Sequence, residues 1–290
     1  MAAPGHPPTT AKFLVGLIGE GIQGSRSPAL HEQEARELGL TLHYQLIDPA
    51  RIERAVTGLP QLLDAAQAIG FAGLNITHPF KQAVLPMLDR LSPDAEAIGA
   101  VNTVVFRDGR CSGHNTDWSG FAAPFRRDLA DVARDHVVLL GAGGAGSAVA
   151  HALLSLGTQQ LSIVDPDVSK AEALARGLSA RFAGRLVQLA RDGCAAIAAA
   201  DGLINATPIG MTGHPGIAID PACLTRRHWV ADVVYVPLQT ELLRAAEQRG
   251  CRTLDGGGMA VWQAVGAFEL FTGRAPDARR MERHFRSIVS

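Results

Sequence analysis

Apolar residues fall into short runs separated by longer stretches in which they recur every three or four positions. FLVGLIG (13–19), LHYQLID (42–48), GLNIT (73–77) and VNTVVF (101–106) read as strands, and so do VVLL (137–140), LSIVD (161–165), RLVQLA (185–190), GLINAT (202–207) and WVADVVY (229–235). Short runs rich in Val, Ile and Leu between turn residues suit buried strands. The intervening segments have helical spacing. One helix is expected from Ser27 to about Gly39, with Ser27 as N-cap, Pro28 in the first turn and Gly39 past the end. Others are expected at 51–70, at PFKQAVLPMLDRL (79–91) with Pro86 in its path, at 117–130, after Gly146, at 167–182, 192–200 and 239–249, and along GMAVWQAVGAFELF (258–271). Strands alternating with helices imply an α/β protein whose parallel sheets carry helices on their faces. There is no internal repeat.

Length and composition narrow the class. The chain has 290 residues, 47% of them apolar and 19% charged, enough for two packed domains. A net charge of −1 leaves no basic field for nucleic acid. Cys111, Cys194, Cys223 and Cys251 form no CxxC pair, which argues for reduced thiols in a cytoplasmic protein and against a zinc site or a disulfide frame. His31, His78 and His114 belong to no cluster with ligand spacing, so they read as structural and no metal is expected. The N-terminal MAAPGHPPTT has no apolar core and reads as a frayed end, and no apolar run is long enough to span a bilayer. These features point to a soluble protein acting on a small molecule, without nucleic acid or membrane. Monomer and homodimer are both open.

HVVLLGAGGAGSAVAHALLSLG carries the first chemistry. A strand runs into Gly141-Ala142-Gly143-Gly144-Ala145-Gly146, a helix follows, and LSIVD ends in Asp165. Strand, GxGxxG, helix and a second strand ending in an acid form the dinucleotide-binding context. Gly141 permits the tight turn, Gly143 lets backbone approach a pyrophosphate, and Gly146 lets helix and sheet pack closely. The helix start offers amides and a positive dipole end to phosphates. Asp165 is placed to read the adenosine ribose, favouring NAD over NADP, or else it only opens the turn Asp-Pro-Asp. Lys170, five residues on, is the only nearby cation.

More than a hundred residues precede that domain, and they place polar groups at strand ends. Ser25 and Ser27 follow the first strand, Asn75 and Thr77 end the third, Lys81 lies just beyond, Asn102 opens VNTVVF and Asp117 closes GHNTD. Such groups suit a small polyhydroxylated acid, with one Lys/Asp pair for proton movement. Plainer roles exist for each: a cap for Ser27 and Asp117, a solvated lysine for Lys81, turn amides for Asn75 and Asn102, and a packing hydrogen bond for Gln263. Trp118 and Trp262 read as packing residues near the cleft.

GEGIQGSRSPALH, GLNITHPFKQAVLP, GAVNTVV, GHNTDWSGF, GAGGAGSAVAHAL, NATPIGM, DVVYVPLQTELL and GGGMAVWQAVGAFELFTG occur in that order. Together they resemble the shikimate dehydrogenase family, in particular its NAD-preferring quinate/shikimate dehydrogenase branch, over nearly the whole chain. The resemblance implies an N-terminal α/β substrate domain formed by residues 1–118 with 254–290, and a Rossmann-type NAD-binding domain at 119–253. The cleft between them would close around the reaction. It also implies interconversion of shikimate with 3-dehydroshikimate, and of quinate with 3-dehydroquinate. Lys81 and Asp117 would form the catalytic pair, Ser25 and Ser27 would hold the substrate carboxylate, and Asn75, Thr77, Asn102 and Gln263 its hydroxyls. The nucleotide would rest on residues 141–146, Asp165, Thr207, Pro208, Val233 and Gly256. VDPD stands where the NADP branch carries a basic stretch, and Arg26 between the two serines fits the quinate/shikimate branch. Another cyclic hydroxy acid of aminoshikimate type, or a catalytically quiet dinucleotide-dependent regulator, are the alternative readings.

Overall fold

In the computed structural model the described residues are 11–52 and 58–289. MAAPGHPPTT and part of the helix expected at 51–70 therefore lie outside the described residues. Among the described residues twelve strands fall into two six-stranded sheets, and the protein is a two-domain α/β structure.

The first sheet contains β1 (Lys12–Ile18), β2 (Thr41–Ile47), β3 (Gly73–Ile76), β4 (Arg90–Leu91), β5 (Thr103–Arg107) and β6 (Arg110–His114), in the order β2-β1-β3-β5-β6-β4. It is mixed and not parallel as the alternation implies: β1 pairs β2 and β3 in parallel, but β5 runs antiparallel to both β3 and β6. β5 and β6 are antiparallel because a two-residue hairpin joins them. Asp108 (φ 52°) and Gly109 (φ 72°) are both left-handed, the conformation that an Asp-Gly turn supplies. Its helices are α1 (Ser27–Glu37), α2 (Leu59–Ala68), α3 (Phe80–Ala83) and α4 (Pro93–Ile98). The helix expected over 79–91 is one turn only, ended by a 3₁₀ segment at Leu85–Met87 and by the short β4, because Pro86 removes a backbone donor where the helix would continue. Ser27 is not the N-cap of α1: Arg26 precedes the helix with no side-chain cap, and the Ser27 amide instead donates to Ser25 Oγ at 3.3 Å.

Helix α5 (Asp117–Asp128) leads to the second sheet: β7 (His136–Leu140), β8 (Gln160–Val164), β9 (Leu186–Leu189), β10 (Gly202–Asn205), β11 (Trp229–Asp232) and β12 (Arg252–Leu254). All pairings are parallel, in the order β12-β11-β10-β7-β8-β9. This is the doubly wound dinucleotide-binding order, whose switch point falls between β7 and β10. Helices α6 (Gly144–Ser155), α7 (Val168–Arg181), α8 (Gly193–Ile197) and α9 (Glu241–Gln248) cover it. The chain then returns through α10 (Gly256–Thr272) and α11 (Ala278–Val289). Ala267, Phe268 and Phe271 of α10 are buried with Val15, Leu17 and Tyr44 of the first sheet. α10 crosses α5 at small residues: a Cβ on Gly120 would stand 2.8 Å from the Gln263 nitrogen, and one on Gly258 2.8 Å from Pro124 Cβ. α11 is tied to α1 by Glu34, 1% exposed, which accepts from Arg280 Nη2 (2.6 Å), Arg280 Nε (2.9 Å) and the Asp277 amide (2.7 Å).

Two side-chain findings depart from sequence expectation or extend it. Cys194 and Cys223, 29 residues apart, are joined as a disulfide with 5.3 Å between their Cα atoms, while Cys111 and Cys251 are free. The expectation of four reduced thiols is therefore corrected. α8 and the 3₁₀ turn Pro221–Cys223 meet only in the folded chain, so no spacing rule could pair them. His31 is fully buried against Tyr44, Phe268 and Phe271, with neither ring nitrogen hydrogen-bonded, and burial pushes its pKa down to about 3. The fold keeps the neutral ring, whereas the unfolded chain takes up the proton below about pH 6.5. Stability should therefore be undiminished above that pH and fall as pH drops from 6.5 towards 3, by up to a few kcal/mol. Thermal melts across this window should slope less steeply in His31→Leu than in the parent. Equal slopes would remove His31 as the cause.

Among the described residues no helix is long and apolar enough to cross a membrane.

Candidate active site

Both sheets present loops at the carboxyl ends of their strands, where open α/β sheets bind ligands. In the first sheet, β1 leads into the loop carrying Ser25 and Ser27. Gly19 lets that loop lie against Thr77, since a Cβ there would overlap Thr77 Cγ2. Asp48, 6% exposed at the end of β2, fastens the same loop by accepting from the Gly21 amide at 3.1 Å. β3 delivers Asn75 and Thr77, and the turn of α3 delivers Lys81.

Lys81 and Asp117 meet. Lys81 Nζ donates to Asp117 Oδ2 at 2.6 Å, with side chains 18% and 7% exposed. Asp117 heads α5, and its amide donates to Asn115 Oδ1 at 3.0 Å. Its other carboxylate oxygen accepts from Asn102 Nδ2 at 2.8 Å. The Asn102 oxygen accepts from the Thr116 amide (2.8 Å) and from Thr103 Oγ1 (3.0 Å), and Nδ2 also donates to Thr116 Oγ1 (2.9 Å). Asn75 donates to Thr103 Oγ1 (3.0 Å) and to the Asn102 carbonyl (3.2 Å), while its own oxygen accepts from Tyr44 Oη (2.8 Å). Both asparagine amides are thus buried, and both amide nitrogens donate twice inside the protein. Asn102 braces Asp117 directly, and Asn75 reaches Asn102 through Thr103.

Thr77, Ser25 and Ser27 are partly exposed. Gln263, also partly exposed, donates to the Ala260 carbonyl of its own helix at 2.8 Å, where α10 crosses α5. Tyr235 packs against Phe285 and the cluster of Leu30, Val261, Ala264 and Met281. Burial pushes its pKa up, opposed by the positive charge of Arg26 between the two serines. Trp118 packs on Ile98, Ala100 and Ala148, and Trp262 Nε1 donates to Glu282 at 3.0 Å. His114 sits 3.2 Å from Ser112 Oγ, away from any metal-like cluster among the described residues.

The glycine loop follows β7. Gly141 has φ +97°, and a Cβ there would stand 2.9 Å from the Ala206 carbonyl, so only glycine is unstrained. A Cβ on Gly146 would overlap the Gly141 carbonyl oxygen. Nothing lies within 4 Å of one on Gly143, so backbone is open at the point where a pyrophosphate would approach. Gly143, Gly144 and Ala145 form the start of α6, a twelve-residue helix. Thr207 and Pro208 follow β10 across the switch point. Thr207 Oγ1 donates to Asn205 Oδ1 at 2.6 Å, and Asn205 donates to Asp232 at 3.0 Å. Asp232, buried at the end of β11, is raised by burial to about 6, opposed by the Val234 amide, Thr240 and Asn205. It anchors the Val233–Val234 backbone, against which Gly256 packs so closely that a Cβ would overlap both carbonyl oxygens. Asp165 Oδ2 accepts from the Ala142 amide (2.7 Å) and Oδ1 from the Asp167 amide (2.8 Å), so its carboxylate stands at the glycine loop as well as starting the turn. Beside it, a cleft of about 380 Å³ is lined by Val164, Asp165, Pro166, Val168, Leu189, Ala190 and Arg191. Lys170 points to Asp167, 3.5 Å away. Glycines that keep backbone open, a helix start behind them, an acid at the end of β8 and a mostly apolar cleft fit a dinucleotide.

The two halves touch at the chemistry. A Cβ on Gly144 would stand 3.1 Å from Lys81 Cδ, so the Lys81 stem lies on the first residue of α6. The arrangement brings together Lys81, Asp117, Asn75 and Asn102 in one network, and the loop 141–146 with Asp165 in another. Tyr44, Thr103, Thr116 and Asn115 complete the first network, Asp48 fastens the serine loop, and Asn205 and Asp232 complete the second, all beyond the residues singled out from sequence. The strand-ending Asp48-Pro49 was a visible signal. Tyr44 and Thr103 were not, since each sits at an ordinary alternating strand position.

Comparisons with known proteins agree with this geometry. The family model described as Shikimate dehydrogenase substrate binding domain matches residues 17–104, Shikimate 5'-dehydrogenase C-terminal domain matches 256–284, and ThiF family matches 115–184. The chain is 56% identical over 275 residues, 94% of each chain, to a shikimate dehydrogenase (NADP(+)) of Streptomyces avermitilis. It is 52% identical to a quinate/shikimate dehydrogenase (NAD(+)) of Corynebacterium efficiens, over 95% of this chain and 98% of the relative. Among solved structures, quinate dehydrogenase from Corynebacterium glutamicum in complex with NAD superposes with a TM-score of 0.90 at 51% identity, covering 96% of this chain and 100% of that one. These relatives divide between the two nicotinamide cofactors.

Proposed function

Since the chain belongs to the shikimate dehydrogenase family and is an NAD(P)-linked oxidoreductase of that kind, we propose that it interconverts shikimate with 3-dehydroshikimate, and quinate with 3-dehydroquinate, preferring NAD. The observation that carries this reading is the Lys81–Asp117 pair, 2.6 Å apart, resting on the first residue of the glycine-loop helix. When bound, the dinucleotide supplies the hydride acceptor. Lys81 Nζ takes the hydroxyl proton during oxidation, or polarises the carbonyl during reduction. Asp117 orients Lys81, and Asn102 holds the second carboxylate oxygen so that the pair keeps one geometry. Ser25 and Ser27 bind the substrate carboxylate beside Arg26. Thr77, Asn75, Asn102 and Gln263 bind ring hydroxyls. Residues 141–146, Thr207, Pro208, Val233 and Gly256 hold the nucleotide. Closure of residues 1–118 with 254–290 against 119–253 excludes water from the transfer, and the reaction is read as cytoplasmic.

Asp165 supports the cofactor preference. Its carboxylate stands where a 2′-phosphate would meet a negative charge and where ribose hydroxyls find an acceptor. Initial rates with shikimate or quinate, each with NAD or NADP, test both halves of the proposal. NAD should exceed NADP, and Asp165→Ser should lower kcat/KM for NAD by roughly tenfold or more, the worth of a hydrogen bond to a charged group. One observation favours NADP instead: Arg191 lines the same cleft as Asp165. A preference for NADP that Arg191→Ala abolishes would establish that second reading.

A further inference from the structure

Asp232 is a buried acid without a cation. It stands at the end of β11, 2% exposed, and among the described residues no Lys, Arg or His forms an ion pair with it. Burial pushes its pKa up to about 6, so near neutral pH a carboxylate sits in the interior. Such a group is costly unless donors satisfy it, and three do. Oδ1 accepts from Asn205 Nδ2 (3.0 Å) and from the Val234 amide (3.0 Å), and Oδ2 accepts from Thr240 Oγ1 (2.8 Å). The direction of these bonds is fixed. The Thr207 amide only donates, and it faces Asn205 Oδ1 at 3.1 Å, which leaves Asn205 Nδ2 facing Asp232. Thr240 Oγ1 accepts from the Leu243 amide at 3.2 Å as the cap of α9, and gives its hydrogen to the carboxylate.

Two loops hang on this one carboxylate. Asn205, fully buried, carries it to the loop after β10: its Nδ2 also donates to the Ile209 carbonyl (3.0 Å), and its oxygen accepts from Thr207 Oγ1 (2.6 Å). The Val234 amide carries it to the turn after β11, where Gly256 lies against the Val233 and Val234 carbonyls. The same two segments meet again where the Thr212 amide donates to the Val236 carbonyl at 3.0 Å. Both loops leave the carboxyl ends of β10 and β11, across the β7/β10 switch point from Asp165 at the end of β8. A dinucleotide laid over a switch point places one nucleotide on each side of it. With the adenosine at Asp165, the β10–β11 side receives the nicotinamide half.

We propose that Asp232 is a positioning residue for the nicotinamide half of the nucleotide: through Asn205 and the Val234 amide, its carboxylate sets the spacing of the two loops that hold this half. Deprived of the charge, the loops keep their chain path and lose their common anchor. The inference rests on the reading of Asp165 and of the loops after β7, β10 and β11 as the nucleotide site.

The test is a pair of calorimetric titrations of the full chain, one with NAD and one with ADP, which carries the adenosine and pyrophosphate but no nicotinamide ribose. Asp232→Asn keeps the side chain's shape, yet its amide must face either the Thr240 hydroxyl or the Asn205 and Val234 donors. It should weaken NAD by at least roughly tenfold and ADP by less than about twofold, since the unsatisfied group lies on one half of the site only. In steady state, kcat/KM for NAD should fall by the same factor with little change in KM for shikimate. Unchanged NAD affinity, or NAD and ADP weakened alike, would overturn the role and leave Asp232 a part of the general scaffold. If Asp232→Asn fails to fold, Asn205→Ser keeps the carboxylate's bonds to Val234 and Thr240 and releases only the loop after β10. It should show the same selective loss, and full NAD affinity there also overturns the role. The nucleotide reading fails separately, through a parent that binds neither NAD nor ADP, and the inference would fall with it.

Discussion

Lys81→Met is expected to lower kcat for shikimate oxidation by roughly 10³-fold, within the range for losing a positioned acid–base group, while nucleotide affinity stays within about threefold. Methionine preserves the part of the side chain that rests on Gly144 and removes only the ammonium. What remains is a carboxylate on a side chain 7% exposed, which still accepts from Asn102 at 2.8 Å but has lost its 2.6 Å partner. Removing one member of a fully buried ion pair costs about 3–5 kcal/mol. Lys81 is partly exposed at the cleft, so water relieves part of that penalty and the melting temperature should fall by only a few degrees. Stopped-flow or steady-state rates, a nucleotide titration and a thermal melt measured on one preparation separate these effects. A variant that keeps kcat within tenfold would remove Lys81 from the proton transfer, however well the pair is placed.

How far this site was legible in the sequence depends on the range of the forces that form it. Glycine at 141, 143 and 146 is a local requirement of a tight turn and a close helix, so that turn and helix start could be read from six residues. Lys81, Asp117 and the two asparagines were legible as polar groups at strand ends, and the fold does assemble them into one network. Their division of labour was not legible. Asn75 and Asn102 read as groups for ligand hydroxyls, and nothing in the sequence signalled that their amides also bond Tyr44, Thr103, Thr116 and Asp117, partners up to 31 residues away. The mixed first sheet went unread although Asp108-Gly109 is a local hairpin signal, because the alternation of strands and helices alone was used to infer parallel pairing. Helix 79–91 failed for a similar reason: a local breaker, Pro86, was seen but given too little weight. Pairing of Cys194 with Cys223 lay beyond any local rule, because the two segments meet only when the loop after β10 folds back beside α8.

The second large effect is expected from Gly146→Ala, which should weaken NAD binding by at least roughly tenfold to a hundredfold, matching about 1–3 kcal/mol of overpacking. The added Cβ would overlap the carbonyl oxygen of Gly141, which is backbone and cannot swing aside as a side chain does. Gly141 cannot retreat either. Its amide donates to the Val164 carbonyl at 2.8 Å, its φ of +97° is already left-handed, and Ala206 stands behind it. The helix start must therefore shift, and with it the amides of residues 143–145 that would face the phosphates. Because Lys81 rests on Gly144, the same shift moves the two domains' contact at the reacting centre, so kcat should fall along with nucleotide affinity. Gly143→Ala is the control: a Cβ there meets nothing within 4 Å, so it should leave the fold unchanged and weaken binding only by crowding the ligand. A Gly146→Ala protein that bound NAD as tightly as the parent, with unaltered turnover, would show that the loop is free to move and that its backbone does not set the nucleotide's position.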